Sequence, residues 1–166
     1  MEIRKLGLQD AEVYFKIRLE ALYKNPEAFG SSYEEEKKET ADKYKDRFQA
    51  ADSFTFGAFE GSQLVGVITL LTEKRMKLRH RSTIVAMYVA SEMRGKGVAK
   101  ALMNEAINKA RTLDGIEQIH LTVVSSNVAA KKLYSSLGFE VYGTEKRALK
   151  MDQTYLDEDL MVLFLH

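Results

Sequence analysis

The sequence predicts a mixed α/β fold in a single domain, residues 1–166, and three observations carry that prediction. Apolar runs of strand length alternate with amphipathic runs of helix length along the whole chain, with no repeat, low-complexity tract or composition break. A strand, Thr83 to Val89, leads into the glycine loop Arg94-Gly95-Lys96-Gly97-Val98-Ala99, which opens an amphipathic run from Val98 to Leu113. A second strand, Ile119 to Val124, leads into another helix that starts near Ser126-Asn127 and is closed by Gly138. The element order is β-α-α-β-β-β-α-β-α-β-β.

Each element has its own signal. Glu2 to Leu6 alternates polar and apolar residues and reads as a first strand. Asp10 is placed to cap a helix running to about Asn25, with Val13, Ile17, Leu19 and Leu22 as much of its buried face and Tyr14 and Phe15 flanking. Pro26, the only proline, helps to stop that helix. Ala28 to Ser32 is a loop. A charged helical segment follows within Tyr33 to Ala51, with Tyr44 and Phe48, four apart, as anchors to the core. Ser53 to Phe59 and Gln63 to Thr72 are strands joined by the hairpin signal Glu60-Gly61-Ser62. Glu73 to Arg81 is a basic, solvated connection. After Phe139 come two strands, Phe139 to Arg147 and about Thr154 to Leu165.

Composition narrows the function classes. An apolar fraction of 45% is that of a globular domain, and the net charge of +1 implies no general attraction to nucleic acid. No apolar run approaches the roughly 20 residues that span a bilayer, and the first residues lack the apolar core of a signal peptide. These features lead us to expect a cytoplasmic protein with neither a membrane nor a nucleic-acid partner. Cysteine is absent, so there is no disulfide framework and no thiol nucleophile. The three histidines, His80, His120 and His166, are scattered, so no metal site is expected.

The glycine loop carries the first chemical signal. A tight turn at a helix N-terminus aims backbone N–H groups at one spot where the helix dipole is positive, and a phosphate or pyrophosphate suits it. Glycine leaves the backbone open to close approach. Arg94 and Lys96 add positive charge. The loop departs from the ATP-binding pattern, because Val98 and Ala99 follow Gly97 where a hydroxyl is needed. It departs from the dinucleotide fingerprint too, because Lys100 stands at the third glycine position. In the second helix, Asn127, Ala130 and Tyr134 share one face.

Taken together, these residues resemble the GNAT superfamily of acyl-CoA-dependent N-acetyltransferases. Arg94, Gly97 and Ala99 meet the pattern Gln/Arg-x-x-Gly-x-Gly/Ala. Asn127, Ala130, Leu133, Tyr134, Gly138 and Phe139 meet Asn-x-x-Ala-x-x-Leu-Tyr-x-x-x-Gly-Phe. The two lie in this order about 30 residues apart with a strand between them, which makes the joint signal specific. The resemblance implies a GNAT-like fold: a central, mostly antiparallel sheet with helices on both faces, whose central strands splay apart to admit the cosubstrate.

The resemblance also assigns roles. The pyrophosphate of acetyl-CoA would lie on the amides of Gly95, Lys96, Gly97, Val98 and Ala99, beside Arg94. The pantetheine arm would run along the backbone of Met87, Tyr88 and Val89, with Asn127 and Ala130 beside it. Tyr134 would stand near the sulfur and give the leaving thiolate its proton; a phenol can donate but is a weak base. A backbone N–H near Val89 would meet the developing oxyanion. Without cysteine, direct attack in a ternary complex is expected. Two acidic clusters, Glu34-Glu35-Glu36 and Asp157-Glu158-Asp159, suggest a cationic amine acceptor, with Glu35, Asp157 and Glu158 as candidate contacts. Ala28 to Tyr33 resembles the acceptor-side loop of small bacterial members. The acceptor would be a small-molecule or peptide amine, and a homodimer is the family's expectation. Two other readings stay open: a non-catalytic acyl-CoA-binding module on the same fold, and a nucleotide-phosphate or NAD-binding domain.

Overall fold

The computed structural model describes residues 1–166. Its strands are β1 (Glu2–Lys5), β2 (Ser53–Glu60), β3 (Gln63–Thr72), β4 (Arg81–Val89), β5 (Gln118–Val124), β6 (Glu140–Met151) and β7 (Thr154–Phe164). Its helices are α1 (Ala11–Lys24), α2 (Tyr33–Glu36), α3 (Asp42–Gln49), α4 (Val98–Thr112) and α5 (Val128–Ser136). The charged segment after the first helix thus divides into two short helices. The strands form one seven-stranded sheet in the order β1-β2-β3-β4-β5-β7-β6.

Only β4 and β5 run parallel, and their ladder is short: Arg81 faces Gln118, Ser82 faces Ile119 and Thr83 faces His120. Beyond Thr83 the two strands part. Each stays attached to its own half of the sheet, β4 to β3 as far as Val89 opposite Gly66, and β5 to β7 as far as Val124 opposite Glu158. A bulge lies just past the point of separation. Val85 faces Thr69 and Tyr88 faces Val67, so Ala86 and Met87 together oppose Ile68. Ala86 takes φ 55°, a left-handed conformation that a residue with a Cβ seldom adopts. The extra residue bends β4 and re-aims its C-terminal half. The expected mixed sheet with splayed central strands is therefore present.

Two apolar clusters cover the two faces. On one, α4 packs Leu102, Met103, Ala106, Ile107 and Ala110 against sheet residues that include Ile68, Leu70 and Ile119. On the other, α1 and α3 bring Tyr14, Ile17, Tyr44 and Phe48 onto Leu6, Phe59, Val67 and Tyr88. The phase of α1 differs from the sequence expectation. Its buried face is Ala11, Tyr14, Ile17, Ala21 and Leu22, whereas Val13 is exposed and Leu19 only half-buried. Tyr14 sits at the centre because its ring meets Tyr44 edge-on at 4.8 Å and Phe48 at 5.2 Å. Asp10 occupies the position before the helix, yet its carboxylate caps nothing in α1. It accepts from Arg4 Nη1 and Nη2 at 2.8 and 2.9 Å and from the Gly7 amide at 2.8 Å, fastening β1 to the helix start. That Arg4 hydrogen bond, ahead of the opposing effect of burial, holds the Asp10 carboxyl below its ordinary pKa.

Candidate functional site

The parting of β4 and β5 opens a passage through the sheet. On the α4/α5 side lies a cleft of about 530 Å³, lined by Met87, Tyr88 and Val89 of β4, Arg94 and Ala99 of the loop and α4, and Asn127, Ala130, Leu133 and Tyr134 of α5. A narrow throat of about 100 Å³ joins at Met87, Asn127 and Tyr134 and runs past Val85, Ala86 and Thr122. Beyond it, on the α1/α3 side, is a second cavity of about 770 Å³. Ala28 and Phe29, in the loop after α1, line all three spaces.

The loop before α4 is built by backbone conformation. Gly95 and Gly97 take φ 75° and 82°. A Cβ on either would meet no protein atom within 4 Å, so crowding is not what requires glycine; the left-handed backbone is. From Gly95 through Lys100 no amide donates to a protein acceptor, and the first bond of the helix is Ala101 N–H to Gly97 O at 3.0 Å. A run of free donors thus faces outward at the positive end of a helix dipole, which suits an anion. Lys96 is exposed and pairs with no carboxylate. Arg94 lines the cleft and makes further contacts. Its guanidinium donates to Val89 O at 3.0 Å and Asn25 Oδ1 at 2.8 Å and lies over the Tyr88 ring at 5.6 Å. It ties the loop to the end of β4 and to the C-cap of α1. Val98, the buried first residue of α4, and Gly95, Lys96 and Gly97 lie outside the cleft lining.

The walls have free backbone as well. Past Thr83 the β4 edge that faces β5 has no ladder partner, so Met87, Tyr88 and Val89 present main chain to the cleft there. Tyr88 also sends its hydroxyl the other way, to Glu20 Oε2 at 2.8 Å; burial, then that bond, pushes its phenol up to about 12. Across the cleft Asn127 caps α5, its Oδ1 accepting from the Ala130 amide at 3.2 Å, which leaves its NH₂ unengaged. Tyr134 stands two turns further on. Its ring is tilted against Phe139 at 6.2 Å, and its hydroxyl donates to no protein group. Burial raises its pKa above 10.0.

The acidic residues separate. Ser32 caps α2, its Oγ accepting from the Glu35 amide at 3.2 Å and donating to Glu35 Oε1 at 2.7 Å. Glu36 is buried with Lys43 and the Tyr44 hydroxyl. Asp157, Glu158 and Asp159 lie within β7, so strand alternation turns Glu158 to the face opposite its neighbours. Asp157 accepts from the Arg147 amide at 2.8 Å and from Lys146 at 3.3 Å. Asp159 is buried and takes Lys131 at 2.7 Å, Ser125 Oγ at 2.6 Å and Thr144 Oγ1 at 3.0 Å, which pins the start of α5 to β7. Of the three proposed acceptor carboxylates, Glu158 alone lines the α1/α3-side cavity, and it has no ion-pair partner. Burial, then the nearby Glu145, raises its pKa. Arg18, Arg47 and Ser53 also line this cavity and were not singled out by the sequence. Isolated arginines on charged helices and a serine at a strand start give no local signal.

Comparison with known proteins fits this geometry. The model of the acetyltransferase (GNAT) family matches residues 19–139. The L-amino acid N-acetyltransferase AaaT of Escherichia coli is 33% identical over 94 residues, 57% of this chain and 57% of its own length. The spermidine N(1)-acetyltransferase of Vibrio cholerae is 33% identical over 76 residues, 46% of this chain and 42% of its own. The match therefore spans about half the length of these curated relatives. The structure of yncA from Salmonella typhimurium with its cofactor acetyl-CoA superposes with a TM-score of 0.87 at 21% identity, covering 100% of this chain and 94% of that one.

Proposed function

The chain belongs to the acetyltransferase (GNAT) family, and from that premise we propose that it moves an acetyl group from acetyl-CoA to a primary amine by direct attack in a ternary complex. One observation carries the reading: where β4 and β5 part, the cleft, the throat and the far-side cavity share lining residues, Tyr134 lines both cleft and throat, and the free amides of residues 95 to 100 adjoin the cleft at Arg94 and Ala99. A long phosphorylated cosubstrate fits the first space and an amine the last. The relatives' names support both substrates, one structure being described with acetyl-CoA and two relatives being named for amine acceptors.

Acetyl-CoA, when bound, supplies an activated acetyl thioester. The chain does the rest. Amides 95–100 and Lys96 would hold the pyrophosphate, a task in which glycine conformation matters more than side-chain identity. The unpaired edge of β4 at Met87, Tyr88 and Val89 would hold the extended amide arm as a strand would, with the Asn127 NH₂ opposite. Tyr134 would release a proton from its hydroxyl to the leaving sulfur; its raised pKa keeps that proton in place at neutral pH. A primary amine has a reference pKa of about 10.4 and must lose a proton before attack. Glu158, a carboxyl without an ion-pair partner that lines the acceptor-side cavity, would take it, directly or through water. The test is a panel of amines with acetyl-CoA, read by released thiol, beside calorimetry of acetyl-CoA alone. We expect micromolar-range binding, and turnover with at least one amine. Binding without turnover on any amine would favour a non-catalytic acyl-CoA-binding module; binding of NAD but not of acetyl-CoA would replace the reading outright.

A further inference from the structure

The cavity on the α1/α3 side carries both signs of charge. Its ionisable lining residues are Arg18 from α1, Asp46 and Arg47 from α3, Asp52 before β2, and Glu158 from β7. Asp52 is satisfied by Lys74 at 3.3 Å, and Asp46 is exposed at the rim. Arg18 and Arg47 are half-buried and have no carboxylate within ion-pair distance; each instead lies by an aromatic ring, Phe29 at 5.1 Å and Tyr44 at 5.4 Å. Stacking of this kind holds a guanidinium in place while leaving its N–H donors open. Between the helices and the sheet, Ser53 is only 4% exposed, lines the same cavity, and its hydroxyl has no hydrogen-bond partner. Glu158 is the opposite case, an unpaired carboxyl on the strand beside the throat.

Resting on the acetyltransferase reading, we infer that the acceptor is a small zwitterion of the amino-acid class, its carboxylate held by Arg18 and Arg47 and its amine lying towards Glu158 and the throat. Two guanidinium groups without carboxylate partners on one cavity match a carboxylate, which accepts several bonds at once. The same two cations disfavour the second ammonium of a diamine or polyamine, because like charges meet in a partly desolvated space. This adds a carboxylate to the expected cationic amine acceptor. That expectation counted Glu35 and Asp157, whose carboxylates are engaged in a helix cap and in contacts with Arg147 and Lys146.

The experiment compares free amino acids, the same amino acids as carboxamides, and a diamine, at saturating acetyl-CoA with thiol release as readout. The inference expects the wild-type kcat/KM to fall about 10- to 100-fold from acid to carboxamide, mostly through KM, and further for the diamine. Replacing both arginines (Arg18→Gln with Arg47→Gln) should collapse the acid–carboxamide difference to within about threefold while the acetyl-CoA affinity, read by calorimetry, stays put. The wild-type comparison needs no variant, so a misfolded double variant leaves the inference exposed to test. Carboxamides or diamines used as well as or better than free acids would overturn it and leave the acetyltransferase reading standing. No turnover of any amine, in a protein that binds acetyl-CoA, would sink both.

Discussion

A phenol that is partly buried and bonded to nothing keeps its proton, and Tyr134 is such a group. Tyr134 lines both the cleft and the throat, and its hydroxyl makes no hydrogen bond within the protein. Tyr134→Phe retains the ring against Phe139 and removes only the donor. A lost general acid should cost about 10²–10⁴ in turnover with little change in acetyl-CoA affinity. The loss should shrink with a thioester whose leaving thiol is more acidic. Near-normal turnover where chemistry limits the rate would reduce Tyr134 to a packing residue. Glu158 is the companion case. Its pKa is raised, so its charge is lost on acidification earlier than that of an ordinary glutamate. If it receives the amine's proton, activity should fall as pH drops through that raised value, and Glu158→Gln should abolish this acid limb as well as most turnover. An unchanged limb in the glutamine variant would assign it to another group.

Local elements set the geometry that these side chains use. The bulge at Ala86 bends β4 just where its ladder with β5 stops, and the glycine loop then turns the chain into α4. At φ 82°, a β-branched residue at position 97 is strained even though no atom crowds it, by roughly 1–2 kcal/mol. Relief of that strain would rotate the amides that open α4. Gly97→Val should therefore remain folded, lose a few degrees of Tm, and bind acetyl-CoA at least tenfold more weakly. Calorimetry and a thermal melt check both parts; unchanged affinity in the folded variant would falsify the role given to these amides. Arg94 acts on the same element from the other side, by tying the loop to Val89 and Asn25.

At the level of the whole molecule, buried carboxylates join elements that are distant in sequence. Asp159 links β7 to the start of α5, and Asp10 links β1 to α1. The Lys131 bond, then the Ser125 bond, lower the Asp159 pKa from 3.8 to about 2. A depressed carboxyl contributes stability that is fully present above its unfolded pKa and is lost as pH falls through its folded one. Stability should thus decline between about pH 4 and pH 2, and Asp159→Asn should lower it at neutral pH while flattening that decline. Urea midpoints at pH 7 and pH 3 measure both; a parallel decline in the variant would place the acid sensitivity elsewhere. The sequence by itself determined the elements, their order and the two loops that meet at the cleft, because periodicity, glycine and capping residues act within a few positions of each other. The positions of Gly97 before α4, Asn127 at the cap of α5 and Tyr134 within α5 were legible for that reason. Tertiary structure decided the phase of α1, since Tyr14 is drawn in by Tyr44 and Phe48, and Val13 is turned out. It also decided which charges are spoken for. Glu35, Asp157, Asp159 and Arg94 look in the sequence like free groups beside a site, and each is engaged by a partner in the fold. Arg18, Arg47, Ser53 and Glu158 look unremarkable in sequence and converge on one cavity. The physical reason is range: backbone preferences are local, whereas the pairing of a charge depends on which distant residue the fold brings within about 4 Å.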